Sequence, residues 1–180
     1  MGIATLFVRQ DWLDALGLAF PECYEDVLAV ARAFQEAKLG GENTFALLFS
    51  GSSTDGRLDA VMNIFGAYQN YWLDINGKLA WSNIQPEMRE ALLELQSLYA
   101  QGLINKDFAV TTGDLAKEYV ASGKVGIFYA TSWNTTTSIQ ALYDNDPAAR
   151  IESSIVKGRG GADVVFQTNT PVTGKVFVNA

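Results

Sequence analysis

The chain contains no histidine and a single cysteine, Cys23, and these two shortages remove several chemistries together. Ser-His-Asp and Cys-His nucleophilic sites, His-ligated zinc and Cys-rich metal clusters cannot be assembled from its own residues. One cysteine also forbids an internal disulfide, which leaves the redox compartment open. No apolar run approaches the about 18 residues a membrane span needs. The start, Met1-Gly2 followed by Ile3 to Val8, carries neither a charged n-region nor a cleavage site. Basic residues are the minority: 13 Lys and Arg against 20 Asp and Glu give a net charge of −7. No basic cluster relieves that charge, so nucleic acid and anionic membrane surfaces are poor partners.

What is present is ample for one globular domain: 180 residues, 48% hydrophobic and 18% charged. Leu6 to Val8 reads as a short strand and Gln10 to Leu16 as a helix stopped by Gly17. A longer helix is predicted from Cys23 to Lys38, with Tyr24, Val27, Leu28, Ala31 and Phe34 on one face. Thr44 to Phe49 is β-compatible, and Ser50-Gly-Ser-Ser-Thr-Asp-Gly56 is a polar loop. A helix is expected from Leu58 to Tyr71. Asn76-Gly77 sits between the alternating flanks of Trp72 to Trp81, a strong hairpin signal. Pro86 opens a helix to Gln101, Asp114 to Ala121 is a shorter one, and Lys124 to Ala130 is a strand. Thr131 or Ser132 is expected to cap a helix running to Tyr143, and Ile151 to Val156 is read as a strand. The tail from Lys157 has two β-like pieces, Val164 to Gln167 and Lys175 to Val178. The pattern predicts a helix-rich α/β domain around one central mixed sheet.

Aromatics beside amides are the unusual feature. Phe65, Tyr68, Tyr71 and Trp72 fall within eight residues, interleaved with Gln69 and Asn70. On a helix Phe65, Tyr68 and Trp72 would share one face. Core packing accounts for Phe65 and Tyr68 as readily as ligand contact, whereas Tyr71 and Trp72 enter a hairpin, where side chains reach a surface. A sugar ring needs such flat apolar faces with planar polar groups for its hydroxyls. Trp133 with Ser132 and Asn134 repeats the pairing just past a strand end, where ligand crevices open in α/β sheets. Acid pairs such as Asp11 with Asp14 or Glu87 with Glu90 are explained by helix N-termini or solvated faces, which argues against a glycosidase. Asp74-Ile-Asn-Gly77 starts like a calcium loop but meets Gln85 where the glutamate is needed. No phosphate-binding glycine motif is present. No cofactor and no metal are expected.

In order and spacing, "LFVRQDWLDALGLAFPECYEDVLAVARAFQEA", "GAYQNYWLDINGKLAW", "MREALLELQSLYAQGLINKDF" and "GKVGIFYATSWN" resemble the C-terminal lobe of extracellular solute-binding proteins of family 1, the maltose-binding-like receptors of bacterial ABC importers. The resemblance runs from about Leu6 to Tyr143. It implies a type II periplasmic-binding-protein-like lobe spanning 1–180, with 157–180 as a hinge-side return segment. It also implies a non-enzymatic role: holding a solute, above all an oligosaccharide, between this lobe and a missing N-terminal one, for delivery to an ABC permease. An extracellular or periplasmic location follows, with a lipoprotein anchor in the full-length parent. The family's ligand-facing tryptophan falls on Trp133, and its aromatic positions before the hairpin fall on Tyr71 and Trp72. Asn134, Asn70 and Tyr68 complete the expected ligand-binding set. A cleft position that is aromatic in maltose-binding relatives is here Val8 followed by Arg9, which makes Arg9 a candidate donor. Cys23 replaces the usual capping threonine, so that cap leans on Asp26. The calcium loop many members carry is reduced to 38–43, and no calcium is expected there. A carbohydrate-active enzyme, a lectin-like module or a receptor lobe for another polar solute are the alternatives.

Overall fold

A computed structural model describes residues 4–51, 55–131 and 136–166. In chain order the elements are β1 (Ala4–Arg9), α1 (Gln10–Leu16), α2 (Tyr24–Ala37), β2 (Phe45–Leu48), α3 (Leu58–Ile64), β3 (Trp72–Ile75), β4 (Lys78–Trp81), α4 (Pro86–Ala100), α5 (Gly113–Ala121), β5 (Val125–Thr131), α6 (Thr136–Asn145) and β6 (Ile151–Ser154). Four strands form a mixed sheet in the order β2-β5-β1-β6, with β2 and β5 parallel and the other pairs antiparallel. β3 and β4 form a separate hairpin. Every residue of β5 is buried, as expected of a central strand covered on both faces.

Strand alternation decides which layer each side chain joins. Leu6, Val8, Ile127 and Tyr129 pack into the larger core with α1 to α4, and Phe7, Phe128 and Ala130 into the smaller one with α5. Phe7 and Phe128 are direct partners in the antiparallel register, and their rings stack 5.2 Å apart. Trp12 and Phe34 meet edge to face at 5.2 Å over Gly126. A Cβ at Gly126 would lie 2.4 Å from Phe34 Cδ2, so the strand must present bare backbone there.

Helix ends follow the sequence signals. Gly17 caps α1 in the left-handed region at φ 65°. Cys23 precedes α2, and Asp26 Oδ2 accepts the backbone N–H groups of Cys23 and Glu22, each at 3.1 Å. Pro86 opens α4. Asn76 and Gly77 both adopt positive φ, the geometry of a type I′ hairpin turn.

Three elements differ from the sequence pattern. The helix expected to reach Tyr71 ends at Ile64. Gly66 takes φ 71°, its N–H reaches Asn63 O at 2.9 Å, and the Ala67 N–H reaches Met62 O at 3.1 Å. This paired closure is a Schellman stop. Tyr68, Asn70, Tyr71 and Trp72 therefore lie beyond the helix, and the face-sharing that helical spacing suggested does not occur. Thr131 is the last residue of β5 rather than a helix cap, while Ser132 lies outside the described residues. Val164 to Phe166 form no strand, and Lys175 to Val178 lie outside the described residues.

Candidate functional site

Because β2 and β5 run parallel, their carboxyl ends open at one edge of the sheet, the place where α/β folds build sites. Residues 55–57 lie back against that edge. The Ser50 N–H donates to Gly56 O and the Arg57 N–H to Tyr129 O, each at 2.8 Å. Gly56, at φ 75°, passes so close to Leu48 and Phe49 that a Cβ would meet backbone atoms at 3.1 Å. Glycine at position 56 is thus required by this close approach.

That return carries three ionisable groups to the edge. Arg57 is buried, and its guanidinium holds Asp59, with Nε 3.0 Å from Oδ1 and Nη2 on Oδ2. Asp55 is fully buried, and Ser138 Oγ in the first turn of α6 donates to its Oδ2 at 2.8 Å. Burial pushes the Asp55 carboxyl above its ordinary value, and Ser138 and Lys117 offset that only in part. In the terminal part of β5 the Tyr129 hydroxyl and Thr131 Oγ1 are buried with no hydrogen-bond partner among the described residues. Burial alone raises the Tyr129 phenol.

Trp133 and Asn134 lie outside the described residues, and β5 and α6 flank them in the chain. Tyr71, Trp72 and Asn70 come together at the base of the β3–β4 hairpin. Trp72 is 65% exposed and tilts against Trp81, its cross-strand partner, at 5.2 Å. Tyr71 is partly exposed, and its N–H donates to Ser82 Oγ at 2.9 Å. Asn70 accepts at its side-chain oxygen from Asn83 Nδ2 at 3.0 Å. Tyr68 is half-buried, and burial raises its hydroxyl. The hairpin pairs with no strand of the main sheet.

Arg9 departs from its expected role as a donor to solute. It is 3% exposed and lies over the Trp12 ring at 4.9 Å. Its Nε and Nη2 hold both oxygens of Asp11 at 2.8 and 2.6 Å, Nη2 also reaches Asp146 at 3.3 Å, and Nη1 reaches Gly123 O at 3.5 Å. Its donors are spent within the protein. Burial works to raise Asp11, but the Arg9 hydrogen bonds and charge and the Arg150 N–H hold it below its ordinary value.

Asp55, Arg57 and Asp59 were legible only as loop and first-turn residues, because no periodicity announces a chain reversal that buries charge. A groove of about 500 Å³ also runs between α2 and α4, where Tyr24 donates to Glu94 at 3.0 Å and Arg159 lies over Phe65. Among the described residues no group of acidic, Cys or His side chains is arranged to hold a metal ion. Among the described residues no helix is long and apolar enough to cross a membrane.

No family model matches the chain. In sequence it is 32% identical over 149 residues to lipoprotein LipO of Bacillus subtilis, covering 79% of this chain and 30% of LipO. It is 30% identical over 129 residues to the polygalacturonan/rhamnogalacturonan-binding protein YtcQ of the same organism, covering 68% of this chain and 25% of YtcQ. The chain thus spans less than a third of the length of these relatives. In structure it superposes on the alginate-binding protein AlgQ2 with a TM-score of 0.69 at 18% identity, covering 86% of this chain and 32% of AlgQ2. The FusA substrate-binding protein of an S. pneumoniae ABC transporter, solved with kestose, gives 0.67 at 18% identity, covering 91% of this chain and 34% of FusA. These likenesses show the periplasmic-binding-protein-like α/β fold.

Proposed function

We propose that this chain, which belongs to the extracellular solute-binding proteins of ABC transporters, forms one wall of a carbohydrate-binding cleft and holds its ligand without turning it over. The observation that carries this reading is the sequence relationship to LipO and YtcQ, joined to a sheet whose parallel strands open at one polar edge. Trp133 and Asn134, which come shortly after β5 in the sequence, are the residues assigned to ring stacking and hydroxyl contact. Trp72, Tyr71 and Asn70 form a second aromatic and amide group at the base of the hairpin, with the half-buried Tyr68 just before it in the chain. The carboxylates at the edge are committed, Asp59 to Arg57 and Asp55 to Ser138, and they make no opposed acid and base pair.

In this reading the chain is one lobe of a two-lobe receptor, the second lobe supplies the facing wall, and an ABC permease takes the cargo. The site of action is extracellular or periplasmic, and the parent is held to the membrane by a lipid anchor. One wall gives half the contacts and leaves water on the other side, so the chain by itself is expected to bind in the ~mM range. Tryptophan fluorescence and calorimetry against a panel of neutral and uronic-acid oligosaccharides test the reading. A saturable response that disappears in Trp133→Ala is the expected result. Release of new reducing ends, or a response unchanged in Trp133→Ala, would overturn it.

A further inference from the structure

At the carboxyl edge of the sheet, a carboxylate is taken out of water with no cation bonded to it. Asp55 Oδ2 accepts from Ser138, Oδ1 has no partner among the described residues, and the Asp55 carbonyl accepts from Ser50 Oγ at 2.6 Å. Lys117 of α5 acts on it through space, while Arg57 and Asp59, next along the chain, are paired with each other. Residues 52–54 and 132–135 carry no ionisable side chain. A buried carboxylate with one hydrogen bond for two oxygens is costly to keep. Its backbone is tied to the end of β2 and its side chain to the first turn of α6, so Asp55 joins the end of β2 to α6.

We infer that Asp55 is a positioning residue of this edge, tying the first turn of α6 to the loop after β2 more tightly when it carries its charge than when it is protonated. The ionised carboxylate accepts a charge-assisted bond from Ser138 and places negative charge against the amino end of α6, which the helix dipole favours. The protonated form keeps a neutral hydrogen bond and loses the charge. In its effect on solute this inference rests on the reading of the edge as the ligand-facing wall.

The inference has an opposite-sign signature. Burial raises the Asp55 pKa, so the native state holds its proton more firmly than the unfolded chain. The Asp55 contribution to global stability therefore falls as pH rises from the ordinary value near 3.8 through the raised one. In openings of α6 that leave Asp55 buried against the end of β2, the local tether tightens over the same window, because the ionised carboxylate is the stronger acceptor for Ser138. A residue that only fills space moves neither quantity.

The test compares the chain with Asp55→Asn and Ser138→Ala from about pH 4 to about pH 7. Thermal midpoints, amide exchange of residues 136–145 corrected for the intrinsic effect of pH, and affinity for the oligosaccharide with the strongest response are measured. In the unmodified chain the α6 amides become about fivefold better protected on going from acid to neutral pH, the size of one strengthened hydrogen bond. Saccharide affinity rises by a like factor. Both changes vanish in Asp55→Asn, and Ser138→Ala stays near the acid-side protection throughout. An unchanged pH profile of α6 exchange in Asp55→Asn overturns the inference. If no saccharide binds any of the three proteins, the binding function fails, and the exchange measurement still decides the role of Asp55. If Asp55→Asn does not fold, Ser138→Ala decides it: wild-type protection at neutral pH would sink the tether.

Discussion

Arg9 shows how one side chain can be read correctly as an unusual group and still be given the wrong partner. It ends an apolar strand and precedes a helix, a place where a cation would sit at a cleft rim if its carboxylates were elsewhere. Instead Asp11 lies two residues on and Asp146 arrives from the end of α6, so the guanidinium joins β1, α1 and α6 and covers Trp12. Replacing Arg9 by Gln leaves Asp11 facing a buried amide. Asp11 and Asp146 both retain contact with water, so the loss is expected at about 2–3 kcal/mol, below the range for a fully enclosed pair. Because the Asp11 pKa is lowered in the folded state, its stabilisation is present above the ordinary carboxylate range and disappears as pH falls through the lowered value. Arg9→Gln should therefore flatten the acid limb of a stability–pH profile measured by urea unfolding. An acid limb identical to that of the unmodified chain would mean that Arg9 does not hold Asp11.

At the scale of elements, Gly66 decides whether the aromatic group is a helix face or a hairpin base. Substituting Ala at its positive φ costs about 1 kcal/mol and removes the stop that the Ala67 and Gly66 N–H groups make. Gly66→Ala is expected to lower the midpoint of urea unfolding by that amount, and a neutral effect would show that the left-handed stop is not needed. The glycine was visible in the sequence, yet the apolar residues beyond it continued a helical spacing, and periodicity outweighed a single stop signal. The hairpin was legible because Asn76-Gly77 fixes its own backbone geometry locally. The helices at Gln10, Tyr24 and Pro86 were legible from caps and apolar stripes for the same reason. The strand-end cluster was not, since the burial of Asp55 and Arg57 depends on a loop returning over strands far away in sequence. Only the fold brings Ser138 to Asp55, 83 residues apart.

Across the whole molecule, charge limits which saccharides the proposed cleft can favour. The chain carries a net charge of −7, and the arginines that reach its sheet, Arg9 and Arg57, are each held by carboxylates close in sequence. Their charge is balanced where it sits and gives little long-range attraction for a polyanion. The relative YtcQ is a polygalacturonan-binding protein and AlgQ2 an alginate-binding one, so acidic ligands are a natural comparison. For this chain the balance of charge predicts the reverse preference. A neutral oligosaccharide should bind more tightly than an oligogalacturonide of the same length, because stacking on an indole face is shared by both while repulsion acts only on the second. Raising salt from about 0.01 M to about 0.15 M shortens the screening length from about 30 Å to about 8 Å, so the gap should narrow as salt is added. Paired calorimetric titrations at the two salt concentrations measure this directly. An oligogalacturonide that binds more tightly, and weakens with salt, would show that a cation at the cleft is free to meet it.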